Sequence, residues 1–257
     1  MEQAAGADRA ESRRDRVRAA TAQEIKQIAR KILVDEGPDA VKLREIARQM
    51  GLTAPALYRY FDSRDVLLRN VCGDIFLEIA ADVQAAIQAA SAGGISAKFT
   101  AAAREFRRWS LSHPPEFALL FGAPLPGLDF KHTDIADESA RTFSDTFLAL
   151  YVELWQRKPF PVLEPDEIDP NLRVQLERYR EGVANNGQVL QVAAGSLPIG
   201  ALLSFVYCWV RLYGMVSLEV FGHLGWVLDD AEPLFEMTMK ELLPILGLEY
   251  PESTESH

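Results

Sequence analysis

A single glycine at position 51 separates two short helical periodicities in the stretch VKLREIARQMGLTAPALYRYFDSRDVLLRNV, residues 41–71, and that arrangement leaves few folds open. Leu43, Ile46, Ala47 and Met50 recur at i, i+3, i+4 and i+7, so one stripe of the first helix is expected to be buried while Lys42, Arg44, Arg48 and Gln49 face water. Gly51 suits the left-handed backbone at which helices end. Thr53 can then cap the next helix through its side-chain oxygen, and Pro55 falls in the first turn, where its missing N–H costs nothing. In that second helix Leu57 and Phe61 lie four apart and point inward, which leaves Ala54, Pro55, Ala56, Tyr58, Arg59 and Tyr60 on the outer and lateral faces.

Small residues followed by an aromatic and a guanidinium form a face that can approach a base pair closely and reach a guanine edge or a phosphate. Two helices joined by a tight glycine turn, the second carrying such a face, describe a helix-turn-helix. Within it, Arg44 and Arg59 are the candidates for reading base edges. Tyr58 and Tyr60 can donate to phosphates while their rings pack on sugar, and Arg64, at the head of the following helix, is expected to reach a phosphate as well. Lys42 and Arg44 open the first helix of the pair, where the helix dipole adds to the attraction of an anion. Thr53, Ala54, Pro55 and Ala56 complete the expected contact surface.

The string REIARQMGLTAPALYRYF followed by DSRDVLL resembles the DNA-binding signature of the tetracycline-repressor-like (TetR) transcriptional regulators. The likeness in motif runs over about residues 21–71. Two positions depart from the family's usual pattern: Leu43 stands where a small hydroxyl residue commonly precedes Arg44, and Tyr60 replaces a frequent histidine. The remainder resembles the family in length and helical character, with a late tryptophan- and glycine-rich helix seen in one subgroup. The resemblance implies an all-α chain in which the helix-turn-helix is followed by a long connecting helix and a larger helical domain for ligand binding and dimerisation. It further implies a homodimeric repressor released from a palindromic operator by a small hydrophobic effector, or, as the alternative, an architectural or corepressor-dependent DNA-binding protein.

Charge is distributed accordingly. The chain carries a formal net charge of −10, yet residues 1–65 are net +2 and the remaining 192 are net −12. Arg9, Arg13, Arg14, Arg16 and Arg18 make a basic arm, expected to be flexible over residues 1–15, while the acidic remainder disfavours DNA binding through other faces. The N-terminal residues are polar, which is not the pattern of a secretory signal, and the dense apolar run Leu197 to Val210 is short for a membrane span, so a cytoplasmic protein is expected. Cys72 and Cys208 provide neither a disulfide framework nor metal spacing, and His113, His132 and His223 are scattered; no metal or cofactor is expected. Neither a GxSxG, nor a phosphate-binding glycine loop after a strand, nor an HExxH occurs, and enzymatic function is not expected.

Helical periodicity accounts for the rest. A first helix from about Arg16 to Glu36 presents Ile25, Ile28, Ala29, Ile32 and Leu33 on one stripe and stops at Gly37–Pro38. The expected division is a DNA-binding domain over 16–62, a helical ligand-binding and dimerisation domain over 63–250 and a tail over 251–257. The fourth helix, from about Ser63 to Ala90, belongs to both domains and can carry a rotation between them. Further helices are expected near Ile95–Ser112, Pro114–Phe121, Ile135–Gln156, Asn171–Gly182, Pro198–Phe221 and Glu232–Leu246, with Pro-rich connections at Ala123–Asp129 and Lys158–Pro170. The helix after Leu197 is apolar nearly all round, so a second subunit is expected to cover one side, with the dimer interface falling roughly at residues 197–246. Trp109, Phe121, Phe147, Tyr151, Trp155, Phe205, Trp209 and Tyr213 are the aromatic candidates for lining an effector pocket.

Overall fold

The computed structural model describes residues 2–122, 135–184 and 195–251, with side chains for residues 13–122, 138–181 and 195–251, and every regular element among them is helical. The helices are α1 (Glu2–Glu36), α2 (Leu43–Gln49), α3 (Ala54–Tyr58), α4 (Arg64–Ala89), α5 (Gly94–Ser112), α6 (Pro114–Phe121), α7 (Ile135–Arg157), α8 (Pro170–Ala184), α9 (Ile199–Val220) and α10 (Glu232–Ile245). The all-α expectation therefore holds. The connection Ala123–Asp129 and the imidazole of His132 lie outside the described residues. Helix α1 begins at Glu2 rather than near Arg16, so the basic residues 9–18 are continuous with the helix that packs under the motif.

Two compact groupings emerge, residues 1–77 with 115–140, and residues 78–114 with 141–257. The division falls inside α4 between Leu77 and Glu78, further along the chain than the expected boundary after residue 62, and it assigns α6 to the first unit. Helix α4 is thus the element common to both. Its stripe of Leu67, Val71, Ile75, Ile79, Val83 and Ile87 is buried along the whole length. Ser63 caps it, accepting from the Val66 amide at 3.1 Å.

In the first unit Ile25, Ala29, Ile32 and Leu33 of α1 close over Leu43, Ile46 and Ala47 of α2, Leu57 of α3 and Phe61, all buried. Helix α6 belongs to the same unit for a specific reason. Glu116, only 4% exposed, accepts from the Arg30 guanidinium of α1 at 3.2 Å, while Phe121 meets Phe76 edge-on with ring centres 5.8 Å apart. A carboxylate so buried is stable only with such a partner.

In the second unit Leu148, Tyr151, Val152 and Leu154 of α7, Ala201, Leu202 and Leu203 of α9, and Leu243 of α10 share one core with Phe160 and Ile168 of the connection before α8. Gly200 is fixed by packing: a Cβ there would lie 2.1 Å from the Leu163 carbonyl oxygen, so any side chain would push that connection off α9. Helix α9 is long and apolar enough to cross a membrane by length and composition, because it continues past Val210 through Arg211 to Val220. One face is buried through Ala201, Leu202, Leu203, Leu212, Met215 and Val216, while Tyr207, Val210 and Leu218 on another are 54%, 57% and 43% exposed.

Candidate functional site

The motif is built by short-range chemistry. Gly51 adopts φ +65°, which lets the Leu52 amide reach back to the Ala47 carbonyl at 2.8 Å and turn the chain in two residues. Space is not the constraint, since nothing lies within 4 Å of a Cβ at this position; the left-handed backbone is. Thr53 Oγ1 accepts from the Ala56 amide at 3.4 Å and opens α3 with Pro55 in its first turn. Lys42 occupies the N-cap of α2 but makes no side-chain cap, so the missing hydroxyl before Arg44 is not replaced.

With Leu57 buried, Thr53, Pro55, Tyr58 and Arg59 are exposed, and Ala54, Ala56 and Tyr60 are half-buried beside them. Lys42 and Arg44 are exposed at the start of α2. Arg48, by contrast, is engaged within its own helix: it forms a two-pronged pair with Glu45 at 3.0 and 2.6 Å. The Arg48 guanidinium, followed by the Gln49 amide, holds the Glu45 carboxyl well below the usual carboxylate range, at about 2. Arg44 and Arg59 have no carboxylate within ion-pair distance among the described residues, which leaves their guanidinium groups available to an anionic or base-edge partner.

Arg64, at the head of α4 as expected, is also bonded within the fold. Its Nη2 donates to the Pro38 carbonyl at 2.7 Å and its Nε to the Val41 carbonyl at 3.2 Å, tying the head of α4 to the connection between α1 and α2. Asp39 and Asp65 lie beside it at 3.5 and 3.7 Å. The guanidinium thereby adds to the bonding of this connection, in which the Pro38 carbonyl also accepts from the Val41 amide at 3.2 Å. Arg64→Ala is expected to lower unfolding stability by about 1–2 kcal/mol, at the low end for bonds to a charged group because the side chain is partly exposed. Urea titration measures it; unchanged stability with uniformly weaker DNA binding would return Arg64 to a phosphate.

The second unit contains an apolar cavity of about 60 Å³ between α5, α7, α9 and α10. Phe147, Tyr151, Phe205 and Trp209 are on its wall, with Phe99, Ala102, Ala103, Met239 and Leu243 opposite. The Tyr151 hydroxyl is satisfied, donating to the Ala201 carbonyl at 2.6 Å, so it offers no donor to the cavity; burial pushes its pKa up. Phe147, Phe205 and Trp209 also bound a second cavity of about 230 Å³, whose polar rim is Ser144 and Tyr179.

The remaining aromatic candidates do other work. Trp109 is fully buried, stacks on His113 with ring centres 4.6 Å apart and donates to Glu78 at 3.2 Å. Phe121 belongs to the first unit. Trp155 meets Phe160 edge-on, and Tyr213 stacks behind Trp209. The cavity residues absent from the aromatic candidates include Phe99 and the small Ala102 and Ala103, which create space because they are short; the α5 spacing Phe99, Ala102, Ala103 is the signal that places them on one face.

Comparison with known proteins places this geometry. Residues 26–71 match the description "Bacterial regulatory proteins, tetR family", and residues 99–242, more than half of the chain, match "Tetracyclin repressor-like, C-terminal domain". The chain belongs to the TetR family. It is accordingly a DNA-binding transcriptional regulator with a helix-turn-helix. It is similar to the HTH-type transcriptional regulators Rv1816 of Mycobacterium tuberculosis and Mb1846 of Mycobacterium bovis, each 29% identical over 225 residues, covering 87% of this chain and 91% of the relative. The solved structure of SCO4313, a candidate regulatory protein, is 28% identical with a TM-score of 0.63, covering 90% of this chain and 98% of that one.

Among the described residues of this TetR-family chain, no group of His, Cys, Asp and Glu is arranged to hold a metal ion. Cys208 lines the apolar cavity, and burial pushes its thiol up to about 11. Since the fold favours the protonated form, its contribution to stability is complete below the ordinary thiol pKa and is lost as pH rises toward 11. Iodoacetamide alkylation of Cys208 in the native protein, followed by peptide mapping, should therefore be slow at neutral pH and accelerate only in strongly alkaline solution; a midpoint near 8.5 would contradict it.

Proposed function

We propose that this regulator is a homodimeric repressor that binds a palindromic operator and is released by a small, neutral, apolar effector held in the second unit. The observation that carries the proposal is the pairing of an exposed, cation-bearing recognition surface on α3 with a partly open cavity whose lining is apolar. Within the surface, Arg44 and Arg59 read base edges, Lys42, Tyr58 and Tyr60 hold phosphates, and Thr53, Ala54, Pro55 and Ala56 permit close approach.

The exposed apolar face of α9, together with Met237 and Leu234 of α10 at 58% and 38% exposure, is the surface a second copy covers. Burying it between two copies removes the apolar area from water and presents two recognition helices to successive major grooves, which makes the operator palindromic. This assignment also accounts for α9 without a membrane, and supports a cytoplasmic protein.

An aromatic molecule cannot enter a cavity of about 60 Å³ unless the walls move, since benzene occupies engineered cavities of about 150 Å³. Effector binding therefore favours a conformation in which α5, α9 and α10 have separated. If that state also spaces the recognition helices wrongly, DNA is released without the effector touching it. Helix α4, continuous through both units, is the mechanical link.

The test is release of labelled operator by a panel of neutral apolar compounds, repeated with Ala103→Leu, which fills the cavity. A compound that releases operator from the wild type but not from the filled variant supports the scheme. If no compound releases DNA, or release survives filling, induction through this cavity is wrong, and a corepressor-dependent or architectural role takes its place.

A further inference from the structure

The N-terminal half of α1 forms a groove with the C-terminal end of α3, and the groove is basic. It is an open groove of about 550 Å³, with Arg13, Arg14 and Arg18 on one wall, Arg59 and Tyr60 on the other, and Asp15 as the one carboxylate among its lining residues. Arg13, Arg14 and Arg18 are exposed, as is Arg59.

Arg18 fixes this part of α1 to the motif. Its Nη2 donates to the Arg59 carbonyl at 3.2 Å, and its guanidinium carbon lies 5.9 Å from the centre of the Tyr60 ring. The bond goes to the backbone of Arg59, so the Arg59 side chain stays available. One helical turn before Arg18, Arg14 falls on the same face, and Arg13 sits beside it; four residues of α-helix span about 6 Å. Arg13 and Arg14 are consecutive and project about 100° apart around α1, so their guanidinium groups diverge towards separate phosphates of an extended backbone rather than converging on one compact anion.

We propose that Arg13 and Arg14 form a rigid phosphate clamp that extends DNA contact beyond the base pairs read by α3, with Arg18 as the positioning residue that holds the clamp against Arg59 and Tyr60. The occupant is the sugar–phosphate backbone of the duplex already engaged by the motif, and the proposal rests on the DNA-binding assignment above. Arginine-to-phosphate contacts of this kind carry no base preference; they lengthen the footprint and steepen the salt dependence.

The full-length protein tests it by hydroxyl-radical footprinting and by affinity measured across a salt series on an operator selected from a random pool. For Arg13→Ala/Arg14→Ala, the slope of log affinity against log salt should fall by about 2 per protomer, given about 0.9 per phosphate. Protection should retreat from both outer edges, and base preference should be unchanged. Arg18→Lys keeps the charge but loses the two-point anchor, so outer protection should weaken there too. An unchanged slope and footprint in the double variant overturns the clamp. Outer protection that persists in Arg18→Lys overturns its rigid attachment and leaves a merely charged tail. Failure of the wild type to enrich any duplex would instead remove the DNA-reading assignment itself, and the clamp with it.

Discussion

Replacing Arg107 by alanine should cost about 2–4 kcal/mol of stability, the largest single effect expected outside the apolar core. Arg107, on α5, grips both oxygens of Glu219 on α9 at 2.8 and 2.6 Å, and the two side chains are only 14% and 12% exposed. Its guanidinium also lies 5.2 Å from the centre of the Phe235 ring of α10, so one side chain joins three helices. The Glu219 carboxylate beside it raises the Arg107 pKa further. Alanine leaves a nearly buried carboxylate without its partner, and this uncompensated charge, rather than the lost attraction, sets the magnitude; residual solvent access keeps it below the full value for a completely buried pair. Thermal unfolding should shift by roughly 2–4 °C per kcal/mol in a chain of this size. Arg107→Met combined with Glu219→Leu, which removes both charges, should recover most of the loss. A single variant within about 0.5 kcal/mol of wild type, the range of ordinary surface substitutions, would show the pair to be incidental.

Arg59→Ala should cost about 1–3 kcal/mol in affinity at one or two operator base pairs and almost nothing elsewhere in the site. The position is well suited to a clean measurement. Arg59 contributes its carbonyl to Arg18 and nothing from its side chain to the fold, so truncation leaves the motif intact. Titrations on matched and singly altered operators distinguish base reading, which makes the loss depend on sequence, from phosphate contact, which makes it uniform. Equal losses across all operators would move Arg59 to the backbone.

How much of this was legible in the sequence follows from the range of the interactions. The glycine turn, the Thr53 cap and the inward Leu57 and Phe61 depend on residues within a few positions of one another, and periodicity with turn chemistry reads them directly. Helix α6 joined the first unit through Arg30 and Glu116, which are far apart in the chain, and neither residue signals its partner. The bonds of Arg64 were illegible for the same reason: an arginine at a helix head suits a phosphate and a pair of backbone carbonyls equally well, and only the fold brings Pro38 and Val41 beside it. Aromatic content located the neighbourhood of the cavity but could not separate Trp209, on its wall, from Trp109, wholly enclosed by its own unit. What decides between them is where Ala102 and Ala103 leave space, and a missing side chain leaves little trace in composition.

Selection of bound sequences from a randomised duplex pool, at two salt concentrations, tests the central assignment most directly. The account predicts enrichment of a palindrome whose half-sites are spaced by about one helical turn, with affinity falling steeply as salt rises. A folded protein that enriches no sequence, or enriches one without two-fold symmetry, would contradict the symmetric, sequence-specific recognition assigned here to α3.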